Sequence, residues 1–233
     1  MTLQNRVTPV GTIEADSARG DFMGNRGILH GDTKELGRRR WAHDNWIICL
    51  TAFRGRQRNV MTPHRYTELF FLDEAVAIAA GHRPCYECRR QDYHAWGAAW
   101  QTALNLPEPP RAKVMERTLH KDRIDRAIRG QRRWRAALDD LPDGAFIQMN
   151  GTPHLVQDQR LLPWRHASYG AAVDRPCGIN VEVLTPKLSV ATLRAGFKPR
   201  LHATATNPKI RHSGEIFPRV VPNILCLPPN SVI

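Results

Sequence analysis

Residues 68–90 read ELFFLDEAVAIAAGHRPCYECRR, and this stretch sets the fold class. YTELFFL, at 66–72, is apolar and aromatic enough for a buried strand. Asp73 then stands where a helix N-cap is needed. EAVAIAA supplies a short helix, and Gly81 supplies its stop. Beyond it, Pro84 stiffens the approach to a CxxC turn made by Cys85 and Cys88. Working outward, WIICLTAF at 46–53 predicts a second buried strand, and RGRQRN a basic turn after it. Downstream, 91–104 predicts a helix with Tyr93, Trp96, Trp100 and Leu104 on one face. LPEPP at 106–110 ends that helix. The mixture points to an α+β protein of small mixed sheets and short helices.

The flanks are less regular. Residues 1–40 read as irregular, punctuated by glycines, and RGDFMGNRG as a turn-rich loop rather than a phosphate cradle. Residues 111–139 predict a long basic helical stretch, interrupted near Gly130. From 144, GAFIQM, PHLV and NVEVL predict strands, with Asn150-Gly151 as a hairpin turn. This divides the chain into an α+β region with the CxxC turn (1–110), a basic helical connector (111–140), a β-rich region with a strand–helix unit (141–204) and an extended tail (205–233). VEVLTPKLSVATLRAGFKP at 181–199 echoes ELFFLDEAVAIAAGHRP at 68–84: strand, turn, short helix, Ala-Gly, basic residue, Pro. Two copies fit either a duplicated unit or a common way of ending a helix.

Charge is the unusual part of the composition. There are 34 Lys and Arg against 22 Asp and Glu among 233 residues, a net charge of +12. Such a surface attracts polyanions, of which nucleic acid is the commonest. No apolar run reaches the roughly 18 residues of a membrane helix, and MTLQNRVTPV lacks a signal core. No membrane partner and a cytoplasmic location are therefore expected. Five irregularly spaced cysteines do not make a secreted disulfide framework.

In a reducing compartment, a CxxC pair points to metal or redox chemistry. Two thiolates separated by two residues reach one tetrahedral ion, and zinc is the cofactor this predicts. His82, Arg83, Arg89 and Arg90 favour the thiolate form. A redox pair, or thiols without a ligand, fits the same spacing. No second CxxC exists, so further ligands must come from elsewhere. His64, just before the 66–72 strand, is the first candidate. Cys49 is the second, although its apolar surroundings favour a core thiol over a ligand. A zinc deaminase would need His-x-Glu upstream of its PCxxC, whereas three residues separate His64 from Glu68.

ELFFLDEAVAIAAGHRPCYECRR resembles the metal-binding module of Ada-type DNA alkylation repair proteins. The likeness covers about 22 residues of 233. It implies a strand–helix–CxxC element in which Cys85 and Cys88 match the second of two zinc-binding cysteine pairs. The first pair is missing, and Arg54 to Arg58 stand in its region. The methyl transfer to cysteine known in that family is therefore not carried over.

Arginine and tryptophan interleave at Arg38, Arg39, Arg40 and Trp41, again at Arg132, Arg133, Trp134 and Arg135, and at PWRH (163–166). Arginine binds phosphate, and tryptophan stacks on bases or fills a core. The first two clusters are the predicted nucleic-acid contacts. The expectation is a zinc-stabilised nucleic-acid-binding protein in DNA repair or processing. The alternative is a metal-dependent or cysteine-nucleophile enzyme acting on nucleic acid or a small acidic substrate.

Overall fold

The computed structural model describes residues 2–56 and 59–206. Helices and small sheets mix as an α+β fold. The first sheet holds β1 (Gln4–Val7), β2 (Ile13–Ala15), β3 (Phe22–Asn25), β4 (Ile47–Leu50), β5 (Leu69–Phe71) and β6 (Arg83–Pro84). Its order is β2-β1-β5-β3-β4-β6. The two expected strands are present but shorter, as β4 and β5. The reading of 1–40 as irregular is corrected, since three of these strands lie there. The reason lies in Gly24, at the centre of β3. A Cβ there would meet the Ile47 carbonyl oxygen at 2.2 Å. This glycine permits close strand packing instead of marking a loop.

Strand alternation sends neighbouring residues to opposite faces. Phe22, Ile48, Leu69 and Phe71 enter the main core. Met23, Cys49 and Phe70 instead gather in a small cluster with Cys85 and Cys88. The register matches: Met23 pairs with Cys49 and with Phe70.

The helix after β5 is α1 (Glu74–Ala79), and all six of its residues are buried. Asp73 caps it as expected, its side chain accepting from the Val76 N–H at 3.0 Å. Gly81 ends it at a positive φ of 86°. A helix end inside a core needs partners for its orphan carbonyls. Gln131, Arg26 and Arg123 donate to the carbonyls of Ala79, Ala80 and Gly81. Cations there also complement the helix dipole.

Next come α2 (Arg90–Ala103), with Trp96 and Trp100 buried, and α3 (Ala112–Arg123). The long basic helix expected over 111–139 stops at Arg123. The chain then forms a hairpin, β7 (Ile124–Asp125) with β8 (Gly130–Gln131), and β9 (Trp134–Ala137). Long-range pairing overrides local helix preference here, since Trp134 to Ala137 pair with Val183 to Asn180.

The second sheet adds β10 (Phe146–Met149), β11 (Thr152–Gln157), β12 (Arg160–Pro163), β13 (Val173–Asp174) and β14 (Asn180–Val183), in the order β13-β12-β11-β10-β14-β9. Asn150 and Gly151, at φ of 51° and 75°, turn the β10–β11 hairpin as expected. The chain continues into α4 (Lys187–Arg194) and α5 (Ala203–Thr206). The 68–84 and 181–199 segments thus share strand, helix and a left-handed glycine, Gly81 or Gly196. One continuous core runs from Val7 through Phe146 to Ala205, so both sheets share it. The tail expected from 205 lies outside the described residues after Thr206. Among the described residues, no helix is long and apolar enough to cross a membrane.

Candidate metal centre and basic surfaces

Three elements bring three sulfurs together. Cys49 sits on the outer face of β4. Cys85 follows β6, which runs parallel to β4 with Ile48 beside Pro84. Cys88 precedes α2. The three Sγ atoms lie within 4.8 Å of one another. Zinc–sulfur bonds of about 2.3 Å put tetrahedral sulfurs on the order of 3.8 Å apart, so a small contraction would close the site on an ion. Among the described residues, no fourth His, Cys, Asp or Glu joins them.

The polypeptide also supplies donors to the sulfurs. The Glu87 N–H points to Cys85 Sγ at 3.4 Å, and the Leu50 N–H to Cys88 Sγ at 3.4 Å. Such bonds favour thiolates. Cys85 is drawn far below the usual thiol range, first by the thiol of Cys49 and then by that of Cys88. Cys49 is pushed up, chiefly because its proton is shared with Cys85. One thiolate held between two thiols is a donor set ready to lose its remaining protons to a cation. Met23 and the half-buried Phe70 cover one side. Cys49 and Cys85 are buried, and Cys88 is half-buried. The donor set is all sulfur and therefore fits a thiophilic ion.

The expected ligands divide clearly. Cys85 and Cys88 converge, and Cys49 joins them. Its position away from the main core follows from Ile48 taking the inward place. His64 does not join. Its ring lies 3.2 Å from the Asp32 carboxylate, with both side chains exposed, 86% for His64. It stands at a positive φ of 61°, within the turn before β5 rather than on the strand.

The arginine clusters also divide. Arg38, Arg39 and Arg40 are exposed, while Trp41 is half-buried against Trp46 and His120. In the second cluster, Arg133 pairs with Glu182, and Arg135 donates to the Asn180 carbonyl. Arg132 donates to the Ile124 carbonyl. The Trp134 indole N–H donates to the Thr185 carbonyl at 2.9 Å, and Lys187 lies over its ring. Sequence spacing did not reveal these commitments, since the partners of Arg133, Trp134 and Arg135 lie some 45 residues or more further along the chain. A buried network was missed for the same reason. Arg83 pairs with Glu116, and Arg89 with Glu74, both inside the protein. Comparison with protein-family models, with curated proteins and with solved structures found no match.

Proposed function

We propose that the protein is a zinc-stabilised nucleic-acid-binding protein with a role in nucleic-acid repair or processing. The observation that carries this reading is the convergence of Cys49, Cys85 and Cys88. Three thiolates on neighbouring segments of one sheet would pin β4, β6 and the start of α2 together. The local resemblance of residues 68–90 to an alkylation-repair metal module supports the same assignment. The net charge of +12 supports a polyanionic partner.

The test has two parts. Metal analysis should find about one zinc per chain in the wild type and little in a Cys85→Ser, Cys88→Ser double variant. Titration of labelled oligonucleotides should show affinity falling steeply with salt, as counterions are released. Equal, negligible zinc in both proteins removes the metal half. Absence of binding at low salt removes the nucleic-acid half.

A second reading has its own support. Three sulfurs, with Cys88 half-buried, fit a metal whose fourth position takes an outside ligand, as in a metal-dependent enzyme. Cobalt substitution separates the two. A spectrum that shifts when cyanide is added favours the open, catalytic site. A spectrum indifferent to it favours the closed, structural one.

A further inference from the structure

Most aromatic rings of this protein are committed to packing. Among the described residues, two of its Phe, Tyr and Trp side chains are exposed: Tyr66, 36% exposed, and Tyr86, 49% exposed. Tyr86 lies at the mouth of the cysteine cluster, while Tyr66 stands in the segment before β5. Tyr86 is the first residue between Cys85 and Cys88. Glu87, the next residue of the turn, holds Arg56 in an ion pair.

The same mouth carries arginines on aromatic faces. Arg90 lies over Tyr86 at 5.1 Å from the ring centroid. Arg54 and Arg56 lie over Phe53 at 5.0 and 5.5 Å. All three arginines are exposed, and Glu87 offsets one of them. Tyr86 is also held edge-on by Tyr93 at 5.1 Å, which fixes its plane. Fixed, exposed rings among arginines are what unpaired bases stack on, while the guanidinium groups take the phosphates. Trp134, by contrast, is half-buried and its N–H is bonded to the Thr185 carbonyl.

We infer that single-stranded nucleic acid binds across the mouth of the cysteine cluster, a base stacking on Tyr86 and its phosphates meeting Arg54, Arg56 and Arg90. This deepens the nucleic-acid reading above and rests on it. It assigns the contact to the cysteine turn and moves it away from the Trp134 cluster. The geometry favours single strands because a paired base offers its neighbours, not a tyrosine, its faces.

Fluorescence anisotropy with labelled oligo(dT), oligo(rU) and a hairpin duplex tests this at low and moderate salt. Tyr86→Ala and Arg90→Gln should each weaken single-strand binding by roughly tenfold. Hairpin binding should change much less, and Tyr86→Trp should restore the loss. Arg133→Ala with Trp134→Phe should leave single-strand binding near the wild-type value. The oligo(dT) and oligo(rU) arms show whether DNA or RNA is preferred. Zinc content and circular dichroism verify that each variant is folded. If wild-type protein binds the oligonucleotides and a folded Tyr86→Ala, Arg90→Gln variant binds them equally well, the assignment of this surface is overturned while the broader function stands. If the wild type binds none of them, both fall.

Discussion

The guanidinium carbon of Arg123 lies 3.9 Å from the centroid of the Trp46 ring, and that of Arg26 lies 4.2 Å from the same ring. Both arginines are almost wholly buried. They are retained because each satisfies carbonyls that the main core would otherwise strand. Arg123 donates to Gly81 at 2.7 Å and to Asp44 at 2.6 Å. It thereby ties the end of α1 and the loop before β4 to α3.

Arg123→Met keeps most of the volume and removes these bonds. The buried Gly81 carbonyl and the partly buried Asp44 carbonyl lose their partners, at about 1–3 kcal/mol each. The variant should unfold at a clearly lower denaturant concentration, with a stability loss of about 3 kcal/mol or more. Unchanged unfolding would mean that water replaces the guanidinium at little cost. Gly81→Ala should be harmful for a related reason, because its Cβ would meet Arg123 Cδ at 2.6 Å on a backbone with φ of 86°.

Two buried carboxyls hold their protons more tightly in the folded chain than in the unfolded one. Burial pushes the Glu116 carboxyl up to about 7, against the opposing pull of Arg83 and Arg123. Asp73, also buried, is pushed up to about 6 despite accepting from Val76, His202 and Tyr169. An acid whose pKa is higher in the folded state than in the unfolded chain holds its proton where the unfolded chain has released it. The carboxyl contribution to stability therefore falls as pH rises from about 4.5 to about 7. Burial lowers His82, His120 and His154, whose contribution rises with pH up to the ordinary imidazole value. Glu116→Gln, which has no proton to lose, should flatten the carboxyl part of the slope in denaturant titrations across that window. A slope as steep in the variant as in the wild type would assign the effect to other groups.

The parts of the fold that were legible in the sequence are those set by local chemistry. Asp73 as cap, Gly81 as stop and Asn150-Gly151 as turn each follow from the backbone preferences of one or two residues. β9 was not legible, because a run rich in arginine became a strand only through pairing with Asn180 to Val183. β3 was hidden by Gly24, whose missing side chain reads as a loop until Ile47 is seen against it. The CxxC turn was visible because both sulfurs lie in one short segment. The third sulfur depended on which face of β4 turns inward, and the WIICLTAF run is apolar on both faces.

Trp134→Phe measures how far the second arginine–tryptophan cluster is structural. The substitution keeps an aromatic ring, smaller than the indole, and removes the N–H that bonds Thr185. A lost neutral hydrogen bond costs about 1 kcal/mol. The melting temperature should fall by a few degrees, with oligonucleotide affinity almost unchanged. A variant of full stability and sharply reduced affinity would show instead that the indole contacts the ligand.

Cys49 and His64 stood as rival third ligands in the sequence, and they lead to opposite outcomes. Cys49→Ser replaces a soft thiolate on β4 with a hydroxyl, a poor partner for a thiophilic ion. Two thiolates then remain on one short turn, and the link from that turn to the sheet is lost. Zinc affinity should fall by a hundredfold or more, about 3 kcal/mol by the usual conversion. His64→Ala removes a ring that is 86% exposed and paired with Asp32. Its zinc content and affinity should match the wild type. A metal that binds the folded chain stabilises it by mass action, so chelation should lower the melting temperature of wild type and His64→Ala alike. The same chelator should leave Cys49→Ser almost unmoved. Measuring melting with and without chelator on all three proteins therefore decides which side chain completes the three-ligand set. A chelator-insensitive wild type would remove the metal from the account altogether.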